Sequence, residues 1–169
     1  NAGVLHLVGN CFALLIFGAF VELRIGALMY LGVYMLSGTL GLMIESFVMP
    51  KDIFIVGASA NITGALGLFY ALFYHHKMRF FVYDLIVRRK VYLSIQLWFP
   101  IFFIGADLVG SLQELTGGGT DSVAHLAHFI GLMCGAAFGY WHVMKYPVSK
   151  SFLYPEDEAL WREVSAQLP

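Results

Sequence analysis

Charge is what this sequence has least of. Asp, Glu, Lys and Arg make up 12% of its 169 residues, while 59% are hydrophobic; a typical soluble domain is about 25% charged and roughly 45–50% apolar. The net charge of −1 leaves no electrostatic footprint for a nucleic-acid partner, and that class is set aside. Cysteine is also scarce. Cys11 and Cys134 both fall within apolar runs and neither sits in a ligand spacing such as C-x-x-C, so they read as small core residues. No cleavable signal peptide is visible and there is no initiator Met; "NAGVLHLVGN" already lies inside an apolar run, so the chain reads as starting in mid-span.

What is present is a series of long apolar runs separated by short polar clusters, the pattern of an all-α polytopic membrane protein. One membrane domain over residues 1–145 and a tail over 146–169 account for the length. Five spans can be drawn, over about 2–21, 25–44, 53–74, 91–110 (interrupted by Pro100) and 122–144. With that threading, Arg24, Lys77, Arg79, Arg88, Arg89, Lys90, Lys145, Lys150 and Arg162 share one side and Lys51 alone lies on the other. Basic residues gather on the cytoplasmic side. The loops at 45–52 and 111–121 are therefore expected outside the cytoplasm, and the tail inside it. A short amphipathic helix is expected over about 156–167.

Polar residues inside spans are functional candidates because burying them costs free energy. At 1.5 Å per helical residue, Ser59 and His128 each lie on the order of 10 Å below the outer surface. His6 and Asn10 sit in the outer half of the first run, one helical turn apart and so on one face. A hydroxyl, an imidazole and a His/Asn pair thus fall in one layer. The fifth run carries Gly131, Gly135 and Gly139 on the face of His128, and the third carries Gly64 and Gly67 beside Ser59. Small residues let two membrane helices approach closely, which a hydroxyl needs in order to reach an imidazole. His125, one turn from His128, and Thr63, one turn from Ser59, are expected as neighbours that orient the pair. Asp107 reads as an interfacial residue near the outer end of the fourth run.

At "HLVGN", "GASANITGALG" and "AHFIGLMCG" the sequence resembles the rhomboid family of intramembrane serine proteases. The family's Gly-x-Ser corresponds to Gly57-Ala58-Ser59, its His-x-x-x-Asn to His6 and Asn10, and its Ala-His with following glycines to Ala127-His128, Gly131 and Gly135. "VELRIG" at 21–26 is similar to the family's turn after its second span. The resemblance implies a rhomboid-like helical bundle whose first span is missing from this chain. It also implies a Ser–His dyad without a third acid: Ser59 as nucleophile and His128 as base, with His6, Asn10 and the Ser59 N–H as oxyanion hole. Implied partners are transmembrane protein substrates within the lipid bilayer, with neither cofactor nor metal. The location implied is a cell (inner) membrane, with the site opening to the extracytoplasmic side.

Two departures stand out. Ala60 replaces a usual Gly, and Thr63 stands where many members carry an aromatic ring against the catalytic imidazole. The alternative is an inactive rhomboid-fold protein that binds membrane helices or serves as a subunit of a larger membrane complex. A third reading, a proton- or metal-handling transporter built on His6, His125 and His128, is disfavoured because no inverted repeat is apparent.

Overall fold

The computed structural model describes residues 2–48, 58–79, 92–116 and 124–146 of the chain. The expected tail helix at 156–167 lies outside the described residues. Helix α1, Ala2–Ala13, runs through a π turn, Leu14–Gly18, into α2, Ala19–Ile25. Gly26 alone separates α2 from α3, Ala27–Val48. Its φ of 86° is open to glycine and strained for other residues, and its N–H donates to the Glu22 carbonyl at 2.8 Å. This is the turn in "VELRIG". The next helix, α4, is Ser59–Leu72.

A small antiparallel ribbon follows, β1 Lys77–Arg79 against β2 Tyr92–Ser94, with Met78 opposite Leu93. The chain then enters α5, Ile95–Phe99, a π turn at Pro100–Ile104, and α6, Gly105–Leu115. Pro100 has no N–H to donate one turn back; the chain widens there, and the Gly105 N–H reaches the Pro100 carbonyl. The last helix, α7, is His125–Lys145.

The molecule is a helical membrane bundle. Three of its helical stretches, His6–Ile25, Ala27–Val48 and His125–Lys145, are long and apolar enough to cross a membrane; Ser59–Leu72 is apolar but shorter. Large apolar side chains point away from the bundle, Leu28 at 89% and Phe47 at 84% exposure among them. In a bilayer such a surface meets lipid at little cost.

α4 is the central element, buried along nearly its whole length and packed on α3 and α7. The α4–α7 seam is built from glycine. A methyl on Gly135 would collide with the Gly64 carbonyl, one on Gly67 with the Leu132 carbonyl, and one on Gly131 with the Ala60 carbonyl. Gly139 packs against Ala71 and Leu68. Further along α4 an aromatic cluster locks it to the Leu14–Gly18 turn and to α5: Phe17 and Phe69 lie 4.9 Å apart edge to face, and Tyr70 and Phe99 stack at 4.9 Å.

Several boundaries differ from the sequence expectation. α3 continues to Val48 instead of ending near 44, α2 continues to Ile25 instead of ending near 21, and the fourth run opens as strand β2, turning helical only at Ile95 and continuing in α6 to Leu115. Glu45 explains the first: it is 2% exposed and turned inward, so the polar cluster that looked like a loop is still helix.

Candidate active site

Ser59 is the first residue of α4, and its preceding residue Ala58 offers no capping side chain. A helix start leaves its first N–H groups without intrahelical acceptors. His128 lies on the second turn of α7, 8% exposed, on the face that meets α4. The glycine seam brings the two helices close enough that Ser59 Oγ and His128 Nε2 are 2.7 Å apart. The serine hydroxyl donates to Nε2 when that nitrogen is unprotonated, so the ring proton then belongs on Nδ1.

That second nitrogen is also engaged. His128 Nδ1 lies 3.2 Å from Asp107 Oδ1, and His125 Nδ1 lies 3.1 Å from the same oxygen. The Asp107 side chain is 14% exposed. The residue read from the sequence as interfacial is thus turned into the bundle and bonded to both imidazoles. A carboxylate oxygen has two lone pairs and can accept both N–H donors. The rings stand 6.2 Å apart and nearly perpendicular. Gly110, one turn beyond Asp107, makes room: a methyl there would run into the His125 ring.

The start of α7 is held from a third direction. Ala124, its N-cap residue, makes no side-chain cap. The Ala127 N–H instead donates to Glu45 Oε2 of α3 at 2.8 Å, and the Ala127 carbonyl lies where Gly41 has no side chain. An anionic acceptor suits the positive end of a helix.

Thr63 is buried, donates to the Ala60 carbonyl at 2.9 Å, and faces Gly131. His6 is exposed and Asn10 half-buried, both on α1; among the described residues neither side chain hydrogen-bonds to another group. Asp107 and Glu45 were missed as site residues. The available signal was a carboxylate at the edge of an apolar run, at the depth of the two histidines.

Asp107, His125 and His128 could also hold a metal ion, since one ligand atom from each lies within 4.8 Å of the others. Three protein ligands is the number used by catalytic zinc sites. The same nitrogens already satisfy a hydrogen-bonded arrangement, and a metal on His128 Nδ1 would compete with it.

Comparison with known proteins agrees with the residue pattern. The Rhomboid domain profile matches residues 1–145. Rhomboid-related protein 1 of Caenorhabditis elegans is 28% identical over 165 residues, covering 91% of this chain and 41% of that protein. The chain therefore spans well under half the length of this relative. No solved structure matches it.

Proposed function

Because the chain belongs to the rhomboid family, we propose that it is an intramembrane serine protease that cleaves transmembrane segments near their outer ends. The observation that carries this reading is the 2.7 Å separation of Ser59 Oγ and His128 Nε2, two residues 69 positions apart on different helices. A hydroxyl at that distance from an unprotonated imidazole nitrogen is an activated nucleophile.

Ser59 Oγ attacks the scissile carbonyl as its proton passes to His128 Nε2, and the tetrahedral oxyanion forms beside the start of α4. The Ser59 N–H is one donor for that oxyanion, and the side chains of His6 and Asn10 are assigned as the others. The imidazolium then protonates the leaving amine. A water molecule, deprotonated by the same nitrogen, releases the acyl group from Ser59. Water must reach the site, so the cavity is assigned to the extracytoplasmic face of a cell membrane, with the tail in the cytoplasm. Substrates are membrane proteins whose helices unwind readily near that face.

One observation favours the inactive alternative, a membrane-helix binder or a subunit of a membrane complex: Thr63, at the position where many members carry an aromatic ring, turns its hydroxyl to the Ala60 carbonyl.

The deciding experiment uses the protein in proteoliposomes with a single-span substrate, comparing wild type with Ser59→Ala and His128→Ala. Cleavage lost in both variants supports the protease. Cleavage that persists in Ser59→Ala sinks it. Fluorophosphonate labelling that requires both residues separates an active enzyme from a helix binder.

A further inference from the structure

We propose that Asp107 is a positioning residue for His128, so that this chain works with a Ser59–His128–Asp107 triad, and that His125 fixes the carboxylate as its second donor. The proposal rests on the protease reading and adds a third member to the machinery.

Both nitrogens of His128 are committed, Nε2 to Ser59 Oγ at 2.7 Å and Nδ1 to Asp107 Oδ1 at 3.2 Å. A neutral imidazole carries one proton. With the carboxylate on Nδ1, that proton sits on Nδ1, and Nε2 is left as the acceptor a general base requires. Among the described residues no other side chain is bonded to the His128 ring: Thr63, one turn beyond Ser59, turns its hydroxyl to the Ala60 carbonyl instead.

The carboxylate is itself held. His125 Nδ1 donates to Oδ1 at 3.1 Å. Further along α6, Gly110 admits the His125 ring and buried Ser111 donates to the Asp107 carbonyl at 2.6 Å. Asp107, Gly110 and Ser111 therefore form one helix face turned to α7.

During attack, the Ser59 proton moves to Nε2 and the ring becomes a cation in a setting of low dielectric. An unpaired charge there is costly, and an ionised carboxylate on Nδ1 offsets it. Asp107 stays ionised throughout. It takes up no proton, and the one gained at Nε2 leaves with the amine.

The test uses the full chain in proteoliposomes. Asp107→Asn keeps the shape and removes the charge. Expected is a fall in kcat of about 10²–10⁴-fold, with KM changed by less than about threefold. Asp107→Glu should recover part of that loss, and His125→Ala should lower kcat less than Asp107→Asn does.

Nitrogen-15 spectra of histidine-labelled wild-type protein, with His128 assigned by its absence in His128→Ala, should show Nδ1 protonated and Nε2 bare. This measurement needs no folded Asp107 variant. The opposite tautomer at His128 overturns the triad. So does an Asp107→Asn enzyme within about threefold of wild-type kcat while Ser59→Ala is dead; the protease reading then stands alone. Activity in Ser59→Ala overturns both.

Discussion

Glu45 of α3 accepts a hydrogen bond from the backbone N–H of Ala127 at 2.8 Å, across 82 positions of sequence. The bond supplies the cap that Ala124 cannot, on the helix that carries both histidines. Removing the acceptor leaves a buried N–H without a partner. Glu45→Ala is expected to destabilise the protein by roughly 1–3 kcal/mol. Glu45→Gln, which keeps a carbonyl acceptor, should cost less. Thermal unfolding in detergent measures both, and equal losses would show that the bond to Ala127 is not what matters.

The glycine seam makes a sharper claim about distance. Gly135→Val must push α7 away from the Gly64 carbonyl, and His128 moves with it. Activity should fall below detection and the melting temperature should drop. Gly32→Ala is the control: nothing lies within 4 Å of a methyl there. That change should be neutral or stabilising by up to about 1 kcal/mol, because alanine suits a helix better. Near-normal cleavage by Gly135→Val would mean that α4 and α7 need not touch.

Gly110 and His125 form a pair suited to a double-mutant cycle. Gly110→Ala should lower activity several-fold, because the methyl displaces the His125 ring. In a His125→Ala background the same change should do little. The expected coupling is about 0.5–3 kcal/mol. Additive effects on kcat would place the cost of Gly110→Ala somewhere other than His125.

Metal dependence follows from the two nitrogens of His128. Proteolysis by the pair needs a proton on Nδ1, so chelators should leave cleavage unchanged. Added zinc should inhibit reversibly, by taking Nδ1 from Asp107 and forcing the ring proton towards Ser59. His125→Ala should weaken that inhibition by removing one ligand. Cleavage lost on chelation and restored by zinc would instead assign the Asp107–His125–His128 cluster to a resident metal.

The features legible in the sequence were those with a period or a depth. Hydropathy marked α3 and α7, and counting residues along the third and fifth apolar runs put Ser59 and His128 in one layer. The spacing of Gly131 and Gly135 pointed to close packing before any contact was known. The carboxylates were hidden for a physical reason. Glu45 and Asp107 sit where an apolar run gives way to polar residues, and by composition such positions are indistinguishable from loop. Their roles depend on which way a helix face turns, which is fixed by partners 82 and 21 positions away. Glycine spacing put His128 on the face that meets α4, but the oxygen shared by the two histidines could not be drawn from it.

The π turn at Pro100–Ile104 has a consequence for Asp107. Each residue of α-helix advances the face by about 100°, and a wide turn absorbs about one extra residue. Everything downstream is re-phased by that amount. The direction in which Asp107 points is thus decided about two turns upstream, where a proline lacks a proton to give. Regular α winding through this segment with every residue kept would swing the carboxylate off the histidines by about 100° without altering a single atom of the site itself.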